Sequence, residues 1–255
     1  MSGLSDILIR RISADGPMRL DHYMAECLLH PDHGYYTMHD PFGQAGDFIT
    51  APEISQMFGE MLGLCLAQVW LDQERPASFV LAECGPGRGT LMADMLRAMQ
   101  AVPGLRQAAQ VHLVEASDRM RMVQRDRLRG LQVVWHDTVQ TLPELPLFLV
   151  ANEFFDALPI RQFERRDQGW AERQVGIIGG RLVPGLAPPT ALIPLQGRLE
   201  DTMPGDVVET CPAAAPIVAA IAGRVARHGG VALFLDYGHW RSLGDTFQAL
   251  RDHAP

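Results

Sequence analysis

Three glycines at alternate positions, Gly85, Gly87 and Gly89, follow a short apolar segment and precede a stretch with helical spacing. Glycine lets the backbone turn tightly and approach a ligand closely, because it has no Cβ and tolerates positive φ angles. The first turn of the helix that begins near Thr90 offers backbone N–H groups without intrahelical partners. Since ligands of open parallel sheets bind at the carboxyl ends of strands, we predict that this loop holds a ligand.

Acidic residues follow three successive predicted strands, and their positions indicate which ligand the loop binds. Glu83 lies two residues before the first glycine, where a carboxylate would repel a pyrophosphate but suit a cation such as the amino group of S-adenosylmethionine. Glu115 is placed to accept hydrogen bonds from both ribose hydroxyls, and Asp137 to meet the adenine edge. A dinucleotide fingerprint needs Gly or Ala where this chain has Thr90. We therefore favour S-adenosylmethionine over a nicotinamide cofactor or a plain strand–helix turn.

A second polar cluster follows the fourth predicted strand, where methyltransferases of this sheet type hold the methyl acceptor. We assign Asn152 to the cofactor site, and Glu153 and Asp156 to acceptor orientation and catalysis. Two carboxylates could grip a guanidinium through charge-assisted hydrogen bonds and ease the release of its proton. The spacing fits equally well an ordinary solvated acidic loop, with Phe154 and Phe155 as core residues.

The elements that would carry these residues alternate between short apolar segments and helical patterns after residue 78. This alternation predicts an α/β fold with a mostly parallel sheet, joined by right-handed crossovers, of the Rossmann-like class I methyltransferase type. Met92–Met99 and Met120–Leu128 are the predicted helices between strands. The predicted strands are Phe79–Glu83, Val111–Glu115, Gln132–Trp135, Leu147–Ala151 and Val231–Asp236.

Residues 1–77 form a predicted helical cap or lid region, and residues 78–255 the cofactor-binding domain with a β-rich insertion at about 160–195. Apolar stripes from Leu20 and from Ile54 predict two helices, the second with a capping-box start at Thr50–Glu53. Within the insertion, turn signals at residues 168–169 and 179–180 predict hairpins, and Pro184–Pro194 is expected to be a loop.

Composition limits the classes of function. The chain has 255 residues, 47% of them apolar, and a net charge of 22 − 30 = −8 with no Lys, which argues against disorder and against nucleic-acid binding. Its apolar runs, such as Leu147–Ala151 and Ile217–Ala222, are too short to span a membrane. Four unpaired cysteines are interpreted as buried, reduced thiols of a cytoplasmic protein. The spacing of His30, His33 and His39 matches no common zinc pattern, so we predict no metal site.

Blocks of sequence spread over nearly the whole chain resemble the MidA family of S-adenosylmethionine-dependent methyltransferases. The resemblance implies a class I methyltransferase domain with a helical N-terminal part over the cleft. By analogy with the family's mitochondrial member, it also implies methylation of a protein arginine on a subunit of NADH dehydrogenase, respiratory complex I. The blocks are Asp21–Met24, His33–Tyr36, Gly46–Glu60, Glu83–Thr90, Asn152–Pro159 and Leu235–His239.

The family resemblance raises two further expectations. The loop with Asp47 could lie over the cofactor as a lid, with Thr50 or Glu53 near its methionine end, or those two residues could simply cap a helix. The family continues beyond Asp236–Gly238, so we expect a C-terminally truncated copy that lacks the closing strands. A non-catalytic assembly factor that binds S-adenosylmethionine and an NAD(P)-dependent oxidoreductase remain the alternative functions.

Overall fold

The computed structural model describes residues 3–38, 50–238 and 245–248. These residues cluster into two compact units. The first unit contains residues 3–38, 158–213, 238 and 245–248, and the second contains residues 50–157 and 214–237. None of the helices within the described ranges is long and apolar enough to cross a membrane.

The second unit is built on a five-stranded parallel sheet with the order β10-β5-β2-β3-β4. Alternate residues of its central strand point to opposite faces, so Phe79 and Leu81 join one apolar core, and Val80 and Ala82 the other. A strand covered on both faces is typical of parallel sheets and confirms the predicted α/β class. The strands are β2 (Phe79–Cys84), β3 (Ala109–Val114), β4 (Val133–His136), β5 (Leu147–Asn152) and β10 (Gly230–Leu235).

Helices cover both faces of this sheet. The larger core contains Leu66 and Trp70 from helix α5 and Met95 from helix α6, whereas Ile221 of helix α9 belongs to the core on the opposite face. The helices of this unit are α4 (Ala51–Ile54), α5 (Gln56–Asp72), α6 (Thr90–Met99), α7 (Leu105–Ala108), α8 (Asp118–Arg127) and α9 (Ala214–His228).

Two glycines allow helices α5 and α6 to pack with their backbones almost in contact. A Cβ on Gly63 would lie 2.7 Å from the carbonyl oxygen of Met95, and a Cβ on Gly59 would lie 2.6 Å from Cβ of Asp94. Both distances are far shorter than ordinary van der Waals contact, so no other residue fits at either position without a shift of the helices. Helix α5 is thereby held firmly against α6, the helix that follows the glycine loop.

A pair of histidines joins β3 to the end of β4. Nδ1 of His112 lies 2.8 Å from Nε2 of His136, whose Nδ1 lies 2.8 Å from Oγ1 of Thr141. The Thr141 hydroxyl already donates to the carbonyl of Thr138 at 2.9 Å, so it accepts from His136. His136 therefore carries its proton on Nδ1, and His112 donates to it. Burial, followed by the charge of His136, lowers the pKa of His112 to about 4.

The first unit contains an antiparallel sheet with the order β1-β7-β6-β9, in which β8 also pairs with β7. Leu8 and Ile12 of helix α1 pack with Met18 and Val175, and Trp170 packs in a second cluster. The elements are α1 (Leu4–Asp15), β1 (Met18–Arg19), α2 (Leu20–Leu29), α3 (Tyr35–Met38), β6 (Arg161–Arg166), β7 (Gly169–Ile178), β8 (Arg181–Leu186) and β9 (Val207–Thr210).

Several predictions of local structure need correction. The predicted loop at residues 184–194 begins as strand, because β8 pairs with β7 through Leu186. The apolar run at 217–222 is part of helix α9, and Cys65 is exposed rather than buried. The end of the sequence also predicts a helix at Asp245–Arg251; residues 245–248 are not helical, and the rest of that range lies outside the described residues. The domain boundary at residue 77 stays a prediction, although residues 50–77 cluster with the parallel sheet and residues 158–213 with residues 3–38.

Candidate functional site

The glycine loop lies between the end of β2 and the start of α6 and lines a cavity in the second unit. Gly85, Gly87 and Gly89 have φ angles of 62°, 49° and 80°, a region that residues other than glycine rarely adopt. A Cβ on Gly85 would also lie 2.9 Å from the ring of Phe154. The cavity is lined by Thr50, Pro52, Glu53, Glu83, Gly85, Pro86, Gly87, Arg88, Thr90, Leu91, Asn152 and Glu153.

Glu83 places a buried carboxylate in this cavity. The residue is 2% exposed, and its Oε2 has no hydrogen-bond partner among the described residues. Burial raises the pKa of Glu83 to about 8; a hydrogen bond from the backbone of Met92 acts in the opposite direction, and the charge of Glu115 raises the pKa further. A buried carboxylate oxygen without a partner costs free energy unless a cation or donor satisfies it. The site is therefore suited to a positively charged group beside the glycine loop and unsuited to a phosphate.

Thr50, Glu53 and Thr90 also line the cavity. The hydroxyl of Thr90 donates to Oε1 of Glu53 at 2.6 Å. Thr50 makes no side-chain capping bond at the start of α4, so the predicted capping box does not form. Instead, Ser55 caps α5 by accepting from the N–H of Met57 at 3.2 Å. Asp47, the residue of the predicted lid, and His39 lie outside the described residues.

Glu115 follows β3 but does not line the cavity. Its Oε1 accepts from the N–H of Ser117 at 2.8 Å, and its Oε2 accepts from Nε2 of Gln124 at 3.0 Å. Burial raises the pKa of Glu115, whereas these two hydrogen bonds act in the opposite direction. These hydrogen bonds fix the orientation of the carboxylate, and a carboxylate oxygen can accept more than one hydrogen bond, so a ligand hydroxyl could still bind to it.

Asp137 follows β4 and also lies outside the cavity lining. Its side chain is 83% exposed and pairs with Arg121, whose guanidinium also donates to the carbonyl of Glu115 at 2.9 Å. The structure therefore brings Glu83, Thr50, Thr90 and Asn152 together in one cavity, but it does not bring Glu115 or Asp137 into it.

The acidic loop after β5 has a constrained backbone. Glu153 has a φ of 51°, a left-handed conformation that is uncommon for a residue with a side chain, and its N–H donates to the carbonyl of Leu235 at 2.8 Å. Its Oε1 accepts from the amide of Asn152 at 3.1 Å. Such strained residues cluster at functional sites, and this one lines the cavity.

Asp236 organises the rest of this loop, and it is a residue to which the sequence alone gave no role. Its Oδ2 accepts from the N–H groups of Phe155 and Asp156 at 3.0 and 3.2 Å, and its Oδ1 accepts from the N–H of Tyr237. Burial raises the pKa of Asp156 to about 6, and the nearby charges of Asp236 and Glu153 add to the shift. Three carboxylates close together create a negative potential that favours a cationic acceptor.

Comparison with known proteins agrees with this geometry. Residues 61–255 match a protein family described as "Putative S-adenosyl-L-methionine-dependent methyltransferase". The chain is 37% identical over 279 residues to the mitochondrial protein arginine methyltransferase NDUFAF7 of Xenopus tropicalis, covering 99% of this chain and 65% of that protein. It is 35% identical to the human protein of the same name, covering 96% of this chain and 62% of the relative. This chain thus spans less than two thirds of the length of these relatives.

A solved structure extends the similarity to three dimensions. A COG1565 superfamily member from Burkholderia thailandensis, crystallised with S-adenosyl-homocysteine bound, aligns with a TM-score of 0.78 and 31% sequence identity. The alignment covers 92% of this chain and 62% of that one.

The comparisons also correct one prediction. Relatives 32–37% identical over nearly the whole chain are named mitochondrial, so the cytoplasmic location expected from the sequence is contradicted. The predicted family and fold class are confirmed. The chain belongs to the family of S-adenosyl-L-methionine-dependent methyltransferases that residues 61–255 match, and it is similar in sequence to the NDUFAF7 protein arginine methyltransferases.

Proposed function

We propose that this protein transfers a methyl group from S-adenosylmethionine to a side-chain nitrogen of a protein, namely an arginine. The observation that carries the proposal is the buried Oε2 of Glu83, which has no hydrogen-bond partner in the described part of the chain and belongs to a residue that lines the cavity beside the glycine loop. A carboxylate in that position matches the amino group of the methionine moiety. The arginine acceptor is supported by the acidic loop and by the names of the relatives.

The residues present fit the cofactor. The backbone at Gly85, Gly87 and Gly89 has no side chain of its own to keep a ligand away, and Thr90 and Asn152 offer polar groups at the same cavity. Glu115 is assigned to the ribose and Asp137 to the adenine, at the ends of the two neighbouring strands. When bound, S-adenosylmethionine supplies a methyl group on a positively charged sulfur. The protein's own task is then to position the reactants and exclude water.

Glu153 and Asp156 are assigned to the acceptor. With Asp236 they form an acidic group that can bind a guanidinium through charge-assisted hydrogen bonds and hold one nitrogen in position. Asp156 can ionise near neutral pH, since its pKa is about 6, and can then accept a proton as the nitrogen is methylated. We further propose, from the family resemblance, that the acceptor arginine belongs to a subunit of NADH dehydrogenase.

The cofactor assignment is tested by calorimetric titration of S-adenosylmethionine into the Glu115→Ala variant. Losing hydrogen bonds to a charged acceptor should weaken binding by about 10- to 100-fold. Glu60→Ala is a suitable control, since Glu60 pairs with Arg97 and does not line the cavity. Unchanged affinity in Glu115→Ala would remove the ribose assignment.

The acceptor assignment is tested by mass spectrometry of respiratory-complex subunits from cells with and without this gene. We expect a methylated arginine on an NADH dehydrogenase subunit only when the gene is intact, and its loss in Asp156→Ala cells. An Asp156→Ala variant that binds the cofactor and restores complex assembly would instead favour the non-catalytic assembly factor.

A further inference from the structure

Gln124 on helix α8 is a fully buried polar residue that is not in the cavity lining and belongs to none of the recognised sequence blocks. It is 0% exposed, and its side chain makes three hydrogen bonds to groups at or near the ends of three neighbouring strands. The amide Nε2 donates to the carbonyl of Gly87 at 2.8 Å and to Oε2 of Glu115 at 3.0 Å. Its Oε1 accepts from the indole N–H of Trp135 at 2.9 Å.

These contacts fix the orientation of the amide. An indole N–H can only donate, so Oε1 of Gln124 must face Trp135. The NH₂ group, which carries two protons and no acceptor, must then face the two acceptors, the Gly87 carbonyl and the Glu115 carboxylate. No other assignment of the amide satisfies all three partners.

The three partners come from three successive strands of the parallel sheet. Gly87 lies in the loop after β2, Glu115 follows β3, and Trp135 lies in β4. Gln124 is therefore a single side chain that ties the glycine loop to the carboxylate assigned to the ribose. The loop cannot move relative to that carboxylate without breaking a buried hydrogen bond, which is costly because no water replaces it.

We propose that Gln124 is a positioning residue for cofactor binding, which sets the distance between the glycine loop and Glu115 and orients the Glu115 carboxylate toward the ribose hydroxyls. This inference rests on the proposed function, because it takes Glu115 as the ribose ligand. Gln124 itself is not expected to touch the cofactor. Its effect should appear in how strongly the protein distinguishes a ligand with ribose hydroxyls from one without them.

The test compares S-adenosylhomocysteine with its 2′,3′-dideoxy analogue by calorimetry. In the wild-type protein the hydroxyls should tighten binding by about 10- to 100-fold. The quantity compared is the ratio of the two dissociation constants, that of the dideoxy analogue over that of S-adenosylhomocysteine. In Gln124→Met, whose side chain has similar length but no amide, this ratio should fall to about threefold or less, because the Glu115 carboxylate loses its orienting donor. Met120→Ala removes a buried side chain from the same helix, and it should lower thermal stability without changing the ratio.

A second variant covers the case in which Gln124→Met does not fold. Trp135→Phe keeps a smaller aromatic ring but removes the indole N–H that fixes the amide. The ratio should therefore fall to a value between that of the wild type and that of Gln124→Met. A wild-type ratio in either folded variant would overturn the proposal, as would an equal weakening of both ligands. If wild-type protein binds neither ligand, the proposed function itself is refuted; if it binds both equally, only the role of Glu115, and with it that of Gln124, is lost.

Discussion

The Glu83→Gln substitution tests whether the buried carboxylate at the end of β2 binds a positively charged group of the ligand. Glutamine has nearly the same shape but does not titrate. The pKa of Glu83 is about 8 in the folded protein against 4.5 for an ordinary glutamate. Between these pH values the folded state holds a proton that the unfolded state has lost, so the stability of the wild-type protein falls as pH rises.

The size of the effect follows from the difference between the two pKa values. Each pH unit should cost the wild-type protein about 1.4 kcal/mol of unfolding free energy relative to Glu83→Gln. From pH 4.5 to pH 8 the difference between the two proteins should change by about 5 kcal/mol at most, and it should level off above pH 8. Urea denaturation at half-unit pH intervals measures this difference. Glu60→Gln, which replaces a solvent-accessible carboxylate on α5, should give a curve parallel to that of the wild type.

The protonation of Glu83 should also be detectable when the cofactor binds. At pH 6.5 the free wild-type protein carries a proton on Glu83, and an ammonium group that binds beside it should displace that proton. Calorimetric titration in buffers of different ionisation enthalpy should therefore detect release of about one proton for the wild type and none for Glu83→Gln. Parallel stability curves for the two proteins, or equal proton release, would refute the reasoning.

Three further changes probe the acceptor loop, the helix packing and the histidine pair. In the wild type, the rate of methyl transfer to an arginine peptide at saturating cofactor should decline as pH falls through about 6, since protonated Asp156 cannot hold a guanidinium. Asp156→Asn should be slow and should lack this decline. If the decline at acid pH is the same in Asp156→Asn, Asp156 is excluded as the group that binds the acceptor. Gly63→Ala should destabilise the protein by about 1 to 3 kcal/mol in urea denaturation, because its Cβ meets the Met95 backbone, whereas Gly197→Ala in open space should have little effect. Between pH 6.5 and 4 the wild-type protein should lose stability, because His112 binds a proton in the unfolded chain but stays neutral in the folded protein. His112→Phe should reduce this loss. Thermal melts that show the same fall in stability at acid pH for both proteins would contradict this.

The strand–loop–helix core of the site could be predicted from the sequence because its signals are local. Each predicted strand from Phe79 to Asp236 overlaps an observed one, since a buried parallel strand requires a short apolar run followed by a break. The glycine loop was likewise placed correctly, because the need for positive φ at Gly85 and Gly89 is visible in the residue types alone.

Contacts between residues distant in the sequence could not be predicted in this way. The Thr50–Glu53 pattern predicts a capping box, yet Glu53 bonds to Thr90, which lies 37 positions further along the chain. Helix α9 was missed because the small and branched residues around 217–222 do not distinguish a helix from a short strand. Gln124 belongs to no motif, and Asp236 lies in a block of the family resemblance that assigns it no role. Only the folded chain shows what their side chains connect.

The left-handed backbone of Glu153 has a consequence for how this protein can be stabilised. A glycine would adopt that conformation without strain, whereas a glutamate there costs about 1 kcal/mol or more. Selection or engineering for thermal stability alone would therefore tend to replace Glu153 with glycine. The resulting protein would be more stable but would lack the Glu153 carboxylate at the cavity. Because we propose that Glu153 orients the methyl acceptor, a thermostable version that is meant to keep this activity should retain Glu153.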